Sequence, residues 1–206
     1  MELPETHTPV DWLPTYTNLR LFSPEECTAI LEQVKQSERL YKAERFNEDG
    51  SLVVDESYRN CHTSHFKPGD AVYEKIAQRV FDRRAVINAK YQFDLFPERD
   101  QMIPIININR YDGDSENPAR IGMHLDVGAF DDCDNRKLSL SILLNDPKEY
   151  EGGELRLFDG GHKRPFDGKP VGTAAIFSSF TMHHVAPVTQ GVRYSAVVWL
   201  RGPRFR

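Results

Sequence analysis

Apolar positions recur at a spacing of three to four in the first half of the chain and at a spacing of two in the second. Cys27, Ile30, Leu31 and Val34 fall on one face of a predicted helix. Ser23-Pro24-Glu25-Glu26 marks its start, with Ser23 as N-cap, Pro24 at the first helical position and Glu26 closing a capping box. This helix is expected to end near Ser37. Val72, Ile76, Val80 and Phe81 predict a second helix, capped by Asp70 after Lys67-Pro68-Gly69 and running to about Asn88. Around these helices, Leu19–Phe22 predicts a short strand and Tyr41–Val54 a hairpin turned at Asn47-Glu48-Asp49-Gly50. Ser57–Phe66 predicts one strand carrying Arg59, His62 and His65. Residues 1–18, interrupted by Pro4, Pro9 and Pro14, read as an irregular lead-in.

From Gln101 the alternation is strict. Ile103, Ile105, Asn107, Asn109 and Tyr111 share one face of an extended strand, and Met102, Pro104, Ile106, Ile108 and Arg110 share the other. Asn107 and Asn109 either face solvent or line an internal site; the pattern alone leaves both open. Lys137–Asn145 sets Leu138, Leu140, Ile142 and Leu144 against Ser139 and Ser141. Further short strands are expected at Glu154–Phe158, Lys163–Phe166, Thr173–Phe177, His183–Val188 and Val192–Arg201. In the last, Arg193, Ser195, Val197 and Trp199 share a face. Polar loops at Asp112–Arg120 and Asp131–Asn135 and turns at Asn145-Asp146-Pro147 and Glu151-Gly152-Gly153 separate them. About eight short strands with two helices ahead of them predict a mainly β (α+β) fold. A jelly roll or barrel, with the helices packed on one face of a sheet, is the expected form.

Composition narrows the partners. The chain has 206 residues, which favours a single domain spanning 1–206. A net charge of -5 gives no electrostatic reason to expect nucleic acid or an anionic membrane. No apolar run approaches a membrane span, and the acidic, proline-interrupted N-terminus does not read as a signal peptide. Cys27, Cys61 and Cys133 are isolated and odd in number, as expected of a reduced, cytoplasmic protein.

Two short segments carry the candidate chemistry. In Met123-His124-Leu125-Asp126, an imidazole and a carboxylate two residues apart point to the same side of an extended segment. Met182-His183-His184 offers a second imidazole, and adjacent strand residues face opposite ways, so one of His183 and His184 can join them. Two histidines and one carboxylate, leaving three positions open, form the donor set of non-haem Fe(II) oxygenases. Arg193 is a permanent, planar cation suited to a carboxylate; the alternative is an exposed Arg193 or one paired to a protein acid.

The segment from Tyr111 to Trp199 resembles the Fe(II)/2-oxoglutarate-dependent dioxygenases, most closely the prolyl 4-hydroxylase-like branch with its bacterial PKHD-type hydroxylases. The resemblance rests on Tyr111, His124-x-Asp126, Arg136-x-Leu138-Ser139, Leu144-Asn145, and Tyr150-Glu151-Gly152-Gly153-Glu154-Leu155. It continues through His183-x-Val185-x-Pro187-Val188, Gly191-Val192-Arg193-Tyr194-Ser195 and Trp199. It implies a double-stranded β-helix (jelly roll). It implies His124, Asp126 and His183, rather than His184, as iron ligands. It implies Arg193, with Tyr111 and Ser195, for the distal carboxylate of 2-oxoglutarate. Trp199 would wall the pocket. Apart from the resemblance, Asn107 and Asn109, on an internal face, and Arg59, where it is not simply solvated, are the candidate substrate contacts beside Trp199. Some relatives carry a further tyrosine where this chain reads Ser141-Ile142-Leu143-Leu144. The implied cofactors are Fe(II), 2-oxoglutarate and O2, with ascorbate as reductant. The implied reaction hydroxylates a C–H bond and releases succinate and CO2. The implied substrate is a prolyl or lysyl residue of a peptide or protein, with a free amino acid or other small molecule as the alternative. A non-catalytic metal-binding jelly roll is the third reading. Asp126 favours hydroxylation over halogenation, and Trp199 stands where nucleobase demethylases carry a second arginine.

Overall fold

The structure, a computed structural model, describes residues 16–47, 49–114, 116–128, 133–158 and 162–204. The expected lead-in before Tyr16, and Asp131 and Asp132 of the acidic loop, lie outside the described residues.

The chain opens with β1 (Thr17–Arg20), α1 (Pro24–Gln36), β2 (Tyr41–Lys42), β3 (Arg45–Phe46), β4 (Leu52–Val53), β5 (Arg59–Asn60) and β6 (His62–Phe66). Three helices follow, α2 (Ala71–Asp82), α3 (Arg84–Asn88) and α4 (Arg99–Met102). The second half comprises β7 (Ile106–Asp112), β8 (Arg120–His124), β9 (Arg136–Leu143), β10 (Tyr150–Gly152) and β11 (Leu155–Phe158). It ends with β12 (His162–Lys163), β13 (Thr173–Ser178), β14 (Met182–Val185) and β15 (Val188–Arg201).

Two antiparallel sheets face each other. The larger runs β1-β13-β9-β15-β7-β6-β2, with β10 paired to β15. The smaller runs β12-β11-β14-β8-β5. The alternation of β7, β9 and β15 sorts their side chains. Ile106, Ile108, Leu138, Leu140, Ile142, Ala196, Val198 and Leu200 join Ile30, Val72, Ile76 and Val80 in one buried cluster. The helices therefore cover the outer face of the larger sheet. A second cluster, including Ile121, Leu157, Phe177 and Val185, fills one end of the space between the sheets. The polar residues of the inner face are left to line the other end.

The first helix forms as its capping signals require. Glu26 N–H donates to Ser23 Oγ and Ser23 N–H to Glu26 Oε2, closing the box. Such a cap is worth about 1 kcal/mol. Other expectations need correction. Asp70 occupies the cap position of α2 without capping it; its carboxylate instead accepts from Lys67 N–H and pairs with Arg39. The expected second helix breaks at Arg83, whose ψ of 3° leaves the helical range, and resumes as α3. The strand expected at Leu19–Phe22 is shifted to β1. The expected Tyr41–Val54 hairpin is confined to β3 and β4, because β2 pairs with β6 instead. The expected Ser57–Phe66 strand is two strands in two sheets, changing sheets at the buried Cys61. Gln101 and Met102 belong to α4 rather than to the alternating strand. The strand expected at Lys163–Phe166 is β12, and the first two residues of the expected Glu151-Gly152-Gly153 turn lie in the short strand β10.

Candidate active site

His124 ends β8 and His183 lies in β14, directly opposite in the register of the smaller sheet. Their rings stand 4.2 Å apart between centroids. Asp126, just beyond β8, is fixed by its backbone N–H to Ser179 O at 3.1 Å. Its carboxylate lies between the two rings, with Oδ1 3.6 Å from His124 Nε2 and Oδ2 3.5 Å from His183 Nε2. One donor atom from each of the three residues lies within 4.8 Å of the others.

The hydrogen bonds fix the imidazole tautomers. His124 Nδ1 lies 2.8 Å from Gly122 O, and His183 Nδ1 lies 2.8 Å from Thr181 O. A carbonyl oxygen only accepts, so each Nδ1 carries a proton and Nε2 is the atom left to ligate through its lone pair. Gly122 is required for this arrangement, since a Cβ there would sit 2.6 Å from the Tyr58 ring. Tyr58 in turn donates to Met123 O at 2.7 Å and steadies the end of β8. Burial holds His183 below its ordinary pKa, against the opposing pull of Asp126, and favours the neutral ring. Burial opposes ionisation of Asp126, but His183, His124 and the Ser139 hydroxyl outweigh it and hold the carboxyl well below its usual range.

Two lone pairs and a carboxylate thus converge in a largely buried place. Without a cation they repel. This donor set fits Fe(II) or a similar divalent ion. Behind it, Ser139 Oγ donates to Asp126 Oδ2 at 2.6 Å. That uses its only proton, so Ser179 is the donor in the 3.0 Å contact between the two hydroxyls. Arg136 Nη1 donates to Asp126 O at 3.1 Å, and its guanidinium stacks 3.8 Å from the Trp199 ring.

The inner face of the larger sheet carries the remaining polar groups. Arg193 is 1% exposed, stacked 5.0 Å from the Tyr111 ring that it faces across β15 and β7. Arg193 Nη1 donates to Ser195 Oγ at 3.2 Å, while Nη2 has no partner. A buried guanidinium with an unused donor is costly, and a ligand carboxylate would satisfy it. Burial raises the Tyr111 phenol above its ordinary pKa, so its proton is held for donation. Asn109 Nδ2 donates to Tyr111 Oη at 3.3 Å.

A cavity of about 860 Å³ runs between the sheets from His124, Asp126 and His183 towards Tyr41 and Leu52. Asn107, Asn109, Tyr111 and Trp199 line it, so both asparagines face the interior rather than solvent. Arg59 also lines it, with Nη1 committed to Glu44 O at 3.0 Å. His184 lies opposite Arg156 in the register and outside this cluster. His65 is exposed at the cavity, where its Nδ1 lies 2.8 Å from Asn107 Oδ1. His62 faces Asp112 at 3.4 Å instead. Ser139 and Arg136, which carry part of the resemblance without an implied role, and Thr63 and Ser179 join the site only in the folded structure. The alternation of Ser139 and Ser141 with leucines was the available signal.

Residues 106–201 match the profile of the 2OG-Fe(II) oxygenase superfamily. A PKHD-type hydroxylase of Escherichia coli O6:K15:H31, YbiX, is 34% identical over 192 residues, covering 88% of this chain and 75% of the relative. A PKHD-type hydroxylase of Aliarcobacter butzleri is 34% identical over 93 residues, 42% of this chain and 40% of the relative. The chain spans about half or less of several curated relatives that it matches. A Trichoplax adhaerens prolyl hydroxylase, solved with a hypoxia-inducible-factor peptide fragment, superposes with a TM-score of 0.69 at 15% identity. That match covers 91% of this chain and 83% of the other and shows the shared jelly-roll fold. The chain belongs to the 2OG-Fe(II) oxygenase superfamily, in its prolyl 4-hydroxylase-like, PKHD-type branch.

Proposed function

We propose that the chain is an Fe(II)- and 2-oxoglutarate-dependent hydroxylase acting on a prolyl or lysyl residue of a peptide or protein, with residues 1–206 forming one catalytic unit. The single observation that carries the reading is Arg193: fully buried, with one donor unused, and stacked on Tyr111, which lines the same cavity as His124, Asp126 and His183.

Family membership implies Fe(II), 2-oxoglutarate and O2. Bound together, they supply oxidative decarboxylation to succinate and CO2 coupled to insertion of oxygen into a C–H bond. The protein's own part is positional. His124, Asp126 and His183 would hold the metal, each offering one donor atom. Arg193 Nη2 and the Tyr111 hydroxyl take the distal carboxylate of the keto acid, while Ser195 holds the other arm of Arg193. The stacked pair of Arg136 and Trp199 walls the metal end and excludes water. Tyr41, Leu52 and Leu125, all exposed at the open part of the cavity, offer an apolar rim to an extended chain. Ascorbate fits this reading as the reductant that keeps the iron ferrous, and the three free cysteines fit a reduced, cytoplasmic setting. Among the described residues no helix is long and apolar enough to cross a membrane.

Hydroxylation of a free amino acid is the second reading. Arg59 favours it, because its Nε is buried without a partner and offers a counter-charge to an α-carboxylate. Aerobic incubation with Fe(II) and 2-oxoglutarate, followed by succinate quantification, tests the reaction. Proline- and lysine-containing peptides should raise succinate release above the background and gain one oxygen atom. Failure of folded, iron-loaded protein to form succinate under any of these conditions would overturn the assignment.

A further inference from the structure

We infer that Asn109 and Thr63 form a substrate subsite that accepts an uncharged hydrogen-bond donor, the main-chain N–H of a peptide. The inference rests on the proposed hydroxylase reading and adds how its substrate is held.

Thr63 on β6 and Asn109 on β7 lie directly opposite each other in the larger sheet, and both line the cavity. They are 3% and 2% exposed, beyond the reach of bulk water. Thr63 Oγ1 and Asn109 Oδ1 have no partner. Opposed residues on neighbouring strands hold their Cβ atoms about 5 Å apart, so one small group can meet both. Buried polar atoms of a native fold are rarely left unsatisfied, and both residues line the cavity.

The chemistry of Asn109 follows from its neighbour. For Tyr111 to donate its proton to the cosubstrate carboxylate, its oxygen must accept from Asn109 Nδ2, the arrangement seen at 3.3 Å. The Asn109 carbonyl is then free to accept from a group on the substrate side. The Thr63 hydroxyl can accept from the same donor or give its proton to a neighbouring carbonyl. Both groups are neutral. The cations sharing this space, Arg59 in the cavity and Arg193 on the adjoining strand, disfavour a second positive charge here. An amide N–H satisfies the pair without one.

The test uses the full chain loaded with Fe(II) and 2-oxoglutarate. Pentapeptides with a central proline or lysine are screened for a gain of one oxygen atom, and succinate is measured in parallel. Each peptide that reacts is remade with one main-chain amide at a time replaced by an ester, which removes a single N–H. One ester position should lower kcat/KM about tenfold in the natural protein. In Thr63→Val the same ester should cost less than in the natural protein, and Thr63→Ser should restore the difference. If every ester is tolerated equally, or the loss is the same in Thr63→Val, the inference is overturned while the hydroxylase reading stands. If succinate forms but no peptide reacts, the amide donor is again refuted and the reaction class is kept. If no succinate forms, the hydroxylase reading itself fails and the inference falls with it.

Discussion

Ser139 gives its only hydroxyl proton to Asp126 Oδ2 across 2.6 Å and receives one from Ser179. The bond occupies one lone pair of that carboxylate oxygen and fixes the plane of the group. Groups that orient a metal ligand commonly contribute about 10- to 100-fold to metal affinity. Ser139→Ala should therefore weaken metal binding about tenfold in a competitive titration of metal-free protein. Ser139→Thr should retain most of it. Equal affinities in all three proteins would mean that the bond is incidental.

Arg193→Met should separate affinity for the cosubstrate from stability. A buried charge pair lost from one side costs about 2–5 kcal/mol, so the 2-oxoglutarate concentration needed for half-maximal succinate release should rise about thirtyfold or more. Without 2-oxoglutarate, replacing a buried cation that has an unused donor by an apolar chain should leave Tm unchanged or raise it. Saturating 2-oxoglutarate should raise the Tm of the iron-loaded natural protein but not that of the variant. A large drop in the Tm of the cosubstrate-free variant would show that Arg193 is chiefly structural.

Gly153 lies under the same arginine. It adopts φ +67°, and a Cβ there would stand 2.6 Å from Val188 Cγ2 and 2.9 Å from Arg193 Cδ. Gly153→Ala is thus strained twice, in the backbone and against the stem of Arg193. The variant should need several-fold more 2-oxoglutarate and should melt at lower temperature. Unchanged half-saturation would remove the proposed link between this turn and the cosubstrate.

Alkaline stability should carry the mark of two buried acids. Burial pushes the Cys27 thiol up to about 11 and the Tyr91 phenol up to about 12. Tyr91 donates to Ile176 O at 2.6 Å, a bond that requires its proton. Both pKa values are raised by folding. Their stabilising effect is therefore complete below the unfolded values, roughly 8.5 and 10, and is lost as pH climbs through the folded ones. Urea unfolding should show stability falling from about pH 9 upward. In Tyr91→Phe the decline should be shallower. A flat profile to pH 11 would contradict the burial argument. The same burial should protect Cys27 from alkylation at pH 8 in the native state.

Much of this arrangement is written in local patterns. The alternation around Asn107, Asn109 and Tyr111 marked a strand with one polar face, and only the second sheet lying over it decides that the face is internal. The adjacent His183 and His184 could not both enter one site, and the β14–β8 register turns His183 inward. What stayed illegible depends on the partner strand. Nothing in Arg59 to Phe66 announces that the chain leaves one sheet for the other at Cys61, since both halves read as extended. The pairing of β2 with β6, which shortens the hairpin, is equally non-local. Ser139 on β9 and Ser179 just beyond β13 come together at Asp126 only in the folded sheet, so the alternation that marks the Ser139 face does not say which carboxylate it will meet.

The central claim is that one pocket holds both the metal and the keto acid. Anaerobic titration of the Fe(II)-loaded chain with 2-oxoglutarate tests it most directly, through the weak visible charge-transfer absorption of a chelated keto acid. A saturable band should appear, be abolished in Asp126→Ala and move to much higher 2-oxoglutarate concentration in Arg193→Met. Folded protein that binds iron yet shows no band at any 2-oxoglutarate concentration would contradict it.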